Sequence, residues 1–300
     1  MVGRSLLIFG AGYCGRAIAE AAVAAGFEVT ATSRGGARAE ARWQVIDFDQ
    51  AGPAIAKATH ILATAPPGET GDPALAAHGA AIAAADRVRW IGYVSTTAVY
   101  GDRNGGWVDE ATPPAPSGPR GLRRVAAEAG WAAMAGRCAV DLFRVAGIYG
   151  PGRSALDDVR ASRSLRVNKP GHVFGRIHRD DITGAVLAAM LQAADRLAER
   201  ATEPARAGGV RALNLSDDGP ASSADVLAEA ARLLGVPPPP LVAYEAALAG
   251  MSPMARSFWA ENRRVSSAAT QAALGYRWRF PDYRSGLAAI LAEEGCHGPA

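Results

Sequence analysis

The chain has 300 residues, 49% of them hydrophobic, with 32 Lys+Arg against 29 Asp+Glu and a net charge of +3. That supports a sizeable core, and without a basic block interleaved with aromatics it argues against a nucleic-acid partner. No apolar run is long enough to cross a bilayer, and the start does not read as a signal peptide; the expected setting is the cytoplasm, away from membranes. Cys14, Cys138 and Cys296 are far apart with no metal-ligand spacing, which predicts a reducing compartment and no metal.

Ser5 to Phe9 reads as a buried parallel strand, and it runs into Gly10-Ala11-Gly12-Tyr13-Cys14-Gly15 and an alanine-rich helix. Strand, G-x-G-x-x-G turn and helix together are a dinucleotide-binding fingerprint. Gly10 makes the tight turn, Gly12 lets a pyrophosphate approach, and Gly15 lets helix pack on strand. The helix N-terminus offers free N–H groups to the phosphates. A second strand, Phe27 to Thr32, is followed by Ser33-Arg34 where an NAD site would carry an acidic residue. A guanidinium suits a 2′-phosphate, so NADP(H) is expected in preference to NAD(H); the alternative is a solvated turn arginine. A third strand, Trp43 to Phe48, ends at Asp47-Phe48, where an adenine edge would lie or where Asp47 is a plain strand-end residue.

The fourth strand, Thr59 to Ala65, is closed by Pro66-Pro67-Gly68, and its end at Thr64, Ala65 and Pro66 should face the cofactor. Asp72-Pro73 caps a helix to about Ala85. A fifth strand, Arg89 to Val94, leads into the hydroxyl cluster Ser95-Thr96-Thr97, a place to hold a reacting carbonyl. A helix from about Arg120 to Ala135 follows a Gly/Pro-rich loop. The sixth strand, Cys138 to Val145, enters Ala146-Gly147-Ile148-Tyr149-Gly150-Pro151-Gly152.

GAGYCG at 10–15, STTAVYG at 95–101, FRVAGIYGPG at 143–152 and IHRDDI at 177–182 stand in one order across most of the chain. In this the chain resembles the extended short-chain dehydrogenases/reductases, which include epimerases, dehydratases and reductases. The stretches THILATAPPGETGDPAL, WIGYVSTTAVYGD and MARSF are similar, more narrowly, to the atypical YeeZ-like bacterial members. The resemblance implies an NAD(P)-binding Rossmann core, with Ala146 and Ile148 beside the cofactor and Thr96 orienting substrate. The chain departs from the family at its Tyr-x-x-x-Lys pair. Anchored on Ala126-Ala127-Glu128, the tyrosine position is Arg120 and the lysine position is Arg124. Arg124 can still meet a ribose, whereas Arg120 is a poor proton donor and a better clamp for an anion. Tyr100 and Tyr149 are the candidate replacements for the lost phenol, or else packing anchors.

Arg153, Arg160, Arg163, Arg166, Lys169 and Arg176 make the next stretch basic, and Arg160, Arg163 and Arg166 are expected on one helix face, lining an anionic-substrate pocket or facing solvent. The resemblance places His178 and Asp180 near the active-site loops; Asp180 or Asp181 should cap a helix through Leu191. Later elements are expected at Val210–Leu215, Ser222–Leu234, Ala243–Ala249, Ser266–Leu274 and Tyr283–Glu294.

The expected fold is a doubly wound parallel α/β sheet of Rossmann type with a smaller, mostly helical substrate lobe. Residues 1–152, completed by 177–215, form the dinucleotide core; 153–176 and 216–300 form the lobe. The expected function is an NADP(H)-preferring oxidoreductase or epimerase-like enzyme on a small anionic carbonyl, hydroxyl or nucleotide-sugar-like substrate. The alternative is a catalytically inactive NADP-binding redox sensor. Catalysis is assigned to Thr96, Tyr100, Arg120 and Arg124, and substrate contacts to Tyr149, Arg153 and His178. Cofactor contacts go to Gly10, Gly12, Tyr13, Cys14, Gly15, Ser33, Arg34, Asp47, Phe48, Thr64, Ala65, Pro66, Arg124, Ala146 and Ile148. The expected assembly is a monomer or homodimer.

Overall fold

The computed structural model describes residues 3–36, 38–40, 42–162, 164–202 and 209–296. The first half alternates strand and helix: β1 (Ser5–Phe9), α1 (Tyr13–Ala24), β2 (Glu28–Ser33), β3 (Arg38–Ala39), β4 (Gln44–Asp47), α2 (Gly52–Lys57), β5 (His60–Ala63), α3 (Pro73–Ala84), β6 (Trp90–Thr96), β7 (Trp107–Val108), α4 (Pro119–Ala132) and β8 (Ala139–Val145). The second half is more broken: β9 (Gly147–Tyr149), α5 (Ala155–Arg160), β10 (Arg166–Asn168), β11 (Arg176–His178), α6 (Arg179–Leu191), α7 (Ala193–Thr202) and β12 (Val210–Leu215). It ends with α8 (Ser223–Leu234), β13 (Leu241–Ala243), α9 (Tyr244–Leu248), α10 (Pro253–Trp259), β14 (Arg264–Val265), α11 (Ala268–Leu274) and α12 (Tyr283–Cys296).

The main sheet has the order β12-β8-β6-β5-β1-β2-β4-β3, parallel except for β3 against β4. The order reverses at β1, which places a crevice at that strand's carboxyl end. Alternation along β1 sorts its side chains between two cores. Leu6 and Ile8 face one core with Ile18 of α1 and Ile182 and Val186 of α6. Leu7 and Phe9 face the other with Ile55 of α2, Ile82 of α3 and Trp131 of α4. The chain thus has the doubly wound Rossmann-type α/β fold. A separate core of Leu156, Val226, Leu227, Leu287 and Ile290 joins α5, α8 and α12 beyond the sheet.

The expected cap at Asp72 is present: its carboxylate accepts from the amides of Ala74 at 2.9 Å and Leu75 at 3.0 Å. Two local expectations are corrected. α6 starts at Arg179, and His178 caps it, its Nδ1 accepting from the Asp180 amide at 3.2 Å. Asp181, expected as a cap, instead accepts from the amides of Arg279 at 2.7 Å and Phe280 at 3.0 Å, fastening a late segment to α6. The arginine face does not form either. α5 ends at Arg160, Ser162 turns the chain with φ of 51°, and Arg166 stands on β10. Arg163 lies outside the described residues, as do residues 203–208 of the expected helix and loop after Ala193. Among the described residues no helix is long and apolar enough to cross a membrane.

Candidate dinucleotide and substrate site

The glycine turn is built so that one side chain fits and another does not. Gly10 has φ of +115°, a conformation that L side chains rarely adopt. A Cβ on Gly15 would run into the Gly10 carbonyl, so α1 can sit this close to β1 only with glycine there. Thr64, just past β5, donates to that carbonyl at 2.8 Å, and the Ala11 amide donates to Thr32 O at 3.0 Å. The turn is therefore held from both neighbouring strands. Gly12, by contrast, has nothing within 4 Å of a Cβ position, and no side chain caps α1. The start of α1 is thus uncapped beside clear space at Gly12, which suits a pyrophosphate.

Tyr13 fastens this turn to the turn after β9: its hydroxyl donates to Pro151 O at 3.0 Å. Two guanidiniums lie against its ring, that of Arg179 at 5.3 Å and that of the exposed Arg153 at 5.7 Å. Cys14 is buried, and burial pushes its thiol up to about 11, so it is a packing residue beneath the turn. At the end of β2, the Ser33 hydroxyl accepts from the Gly35 amide at 3.0 Å. Arg34 is exposed beside it and makes no ion pair with any described residue. Asp47 is exposed at the end of β4, while Phe48 packs edge-on against Phe9 at 6.0 Å. Ala65 is half-buried and Pro66 exposed beside the turn. Ala146 is buried, its amide donating to Leu215 O at 2.9 Å, and Ile148 packs on the core.

The candidate acid–base groups are arranged differently from the sequence expectation. Thr96 ends β6 half-buried, its hydroxyl accepting from the Ala98 amide at 3.2 Å. Tyr100 is fully buried, which corrects its catalytic assignment. Its hydroxyl donates to Asn214 Oδ1 at 2.7 Å and accepts from Arg144 at 3.1 Å, and burial raises its pKa. Tyr149 is corrected likewise: it is buried, donates to Asp282 O at 3.3 Å and rests on Gly286, where a Cβ would strike its ring. His178, expected to meet substrate, is 2% exposed between Tyr149 and Phe280 as the α6 cap. Arg124 points back to the sheet, donating to Val94 O at 2.6 Å and Tyr93 Oη at 3.1 Å. Arg120 is exposed at the start of α4.

Beneath Thr96 lies a polar network that sequence reasoning passed over. Glu128 of α4 accepts from Ser95 Oγ at 2.6 Å and pairs with Arg144 of β8 at 2.9 Å, both side chains being under a tenth exposed. Arg144 stands within the quoted FRVAGIYGPG stretch and Glu128 within the anchoring Ala-Ala-Glu; two charged residues, Asp141 and Arg144, in an otherwise apolar strand were the available signal.

No family model matches the chain, and no curated protein does. Among solved structures, a functionally unknown conserved protein from Silicibacter pomeroyi is 39% identical with a TM-score of 0.83, covering 97% of this chain and 99% of that one. The chain belongs to that protein's family. Its fold is shared with human epimerase family protein SDR39U1, solved with NADPH, at 18% identity and TM-score 0.72, over 97% of this chain and 100% of that one. It is also shared with UDP-glucuronic acid 4-epimerase from Bacillus cereus, solved with NAD, at 14% identity and TM-score 0.70, over 96% and 99%. Several of the proteins that share this fold are described as epimerases or epimerase-family proteins, and some were solved with NAD or NADPH. The residues present here fit such a group: the Gly12 side of the turn leaves room, and Gly15 closes the turn on β1.

Asp217, just past β12, is expected to make stability depend on pH. It is 1% exposed and neither oxygen reaches hydrogen-bonding geometry. Burial pushes its pKa up to about 8, even though Arg176 and the Gly219 amide pull it down. The unfolded chain releases that proton near pH ~3.9, so the folded state holds the extra proton in between and stability falls as pH rises toward 8. His178 acts oppositely at lower pH: burial lowers its pKa to about 4 from 6.5, so its contribution rises with pH across that window. Above pH ~6.5 Asp217 acts without this opposition. Asp217→Asn should therefore flatten the decline in urea midpoint between neutral pH and pH ~8. Equal slopes in parent and variant would show that Asp217 ionises freely.

Proposed function

We propose that the protein is a nicotinamide-dinucleotide enzyme of the short-chain dehydrogenase/reductase type, an oxidoreductase or epimerase-like member nearest the YeeZ-like bacterial subgroup. It prefers NADP(H) to NAD(H) and acts on a small anionic carbonyl, hydroxyl or nucleotide-sugar-like substrate. The observation that carries this reading is the uncapped start of α1 opening on clear space at Gly12, with Gly15 closed on β1. Gly12, Tyr13, Cys14 and Gly15 would hold the pyrophosphate by their amides, and Ser33 with the exposed Arg34 the 2′-phosphate. The bound dinucleotide supplies hydride chemistry; the chain supplies orientation and charge. Residues 1–152 with 177–215 serve as the cofactor core, and 153–176 with 216–300 as the substrate lobe.

Arg34 gives the first test. A charge-assisted contact contributes roughly 1.5–3 kcal/mol, about tenfold to over a hundredfold in affinity. NADPH should bind that much more tightly than NADH, and Arg34→Ala should remove most of the gap while sparing NADH. Equal affinities in the parent protein would rule the preference out.

A second reading, a redox-sensing NADP-binding module, is favoured by one observation: Tyr100 and Tyr149 are buried and their hydroxyls are spent on protein partners. A sensor leaves NADPH unconsumed with every carbonyl offered, whereas an enzyme oxidises it catalytically with at least one.

A further inference from the structure

At the carboxyl edge of the sheet an unpaired cation meets an uncovered aromatic. Arg120 makes no ion pair with any described residue, and its guanidinium lies 5.0 Å from the centre of the Phe258 ring. Its position is fixed by its neighbour: Gly121 lies so close to the turn after Thr96 that a Cβ would be 2.9 Å from Ala98 O and 2.7 Å from Pro116. Phe258 comes from α10, beyond the sheet, so the pair bridges the two parts of the molecule.

α10 is held along one side only. Trp259 packs on His172 at 5.1 Å, Phe174 at 5.0 Å and Tyr244 at 5.6 Å, and its carbonyl accepts from Lys169 Nζ at 2.5 Å. Met254 and Phe258, one helical turn apart, are 60% and 51% exposed. An apolar strip thus stands beside a guanidinium that has no counter-charge.

We propose that Arg120 and Phe258 form a substrate subsite for a carboxylate joined to a planar apolar body. The proposal rests on the reading of this edge as the substrate cleft. A bare inorganic anion would leave Met254 and Phe258 wet, and a neutral apolar ligand would cover Arg120 without pairing it, which is costly. An aryl carboxylate meets both demands: its two oxygens match the guanidinium fork, and its ring covers Phe258. The cation–π contact between Arg120 and Phe258 is weak at an exposed site, so the two can part around such a ligand.

The probe is 2-naphthoate, titrated calorimetrically into the full chain with and without NADPH, beside 2-naphthamide and acetate. Naphthoate should bind the NADPH-loaded protein about tenfold or more tightly than either control. Arg120→Gln should remove the preference for naphthoate over naphthamide, and Phe258→Ala the preference for naphthoate over acetate. Both side chains are exposed, so both variants should keep the parental circular dichroism and NADPH affinity. No preference in the parent, or a preference kept by both variants, would overturn the subsite. Failure of NADPH to bind while the naphthoate preference persists would overturn the dinucleotide reading and leave the subsite standing.

Discussion

Gly12→Val should all but remove binding of both NADPH and NADH and leave the fold intact. The backbone at Gly12 has φ of −82° and ψ of −166°, an extended conformation that valine adopts readily. Nothing stands within 4 Å of its Cβ position, so the free protein accommodates the branched side chain. That same clear space is where the pyrophosphate must approach the first amides of α1. Stability should change by no more than about 0.5 kcal/mol, as for a surface substitution, while affinity falls by about a hundredfold or more. Gly15→Ala is the contrasting variant. Its Cβ overlaps the Gly10 carbonyl, so it should lower the melting temperature as well as affinity. Fluorescence titration beside a thermal melt separates the two. Parental affinity in a folded Gly12→Val protein would mean that the turn is not the cofactor site.

The second large effect lies beneath Thr96. Glu128→Ala leaves the Arg144 guanidinium, 7% exposed, without its counter-charge, and the Ser95 hydroxyl without its acceptor. Breaking a buried pair from one side costs about 3–5 kcal/mol, because the surviving charge stays buried. Replacing both partners, Glu128→Leu with Arg144→Met, should recover most of the loss. Denaturant unfolding reads both. A single substitution costing less than about 1 kcal/mol would show that Arg144 finds water or another partner once Glu128 is gone.

The Rossmann core was readable because its signals are local. β1, its glycine turn and α1 are contiguous, and the strands β5 and β6 are largely apolar runs bounded by loops. Their ends shift by a residue or two, as for the strand expected at Trp43 to Phe48 and found at Gln44–Asp47. Tyr100 and Tyr149 could not be judged from sequence, because what disables them is distant in the chain. Asn214 and Arg144 occupy one hydroxyl, and Asp282 accepts from the other. The cap of α6 was misassigned because histidine is an uncommon cap and two aspartates follow it. Phe258 carries no local sign of its role either; its contact with Arg120 spans the interval between α4 and α10 and exists only once the chain has folded.

The most direct test of the central claim is a crystal structure of the protein soaked with NADPH. The pyrophosphate should lie on the amides at the start of α1, the 2′-phosphate against Ser33 and Arg34, and the nicotinamide should reach toward Thr96. Density for the dinucleotide away from the glycine turn, or its absence at saturating NADPH, would contradict that claim.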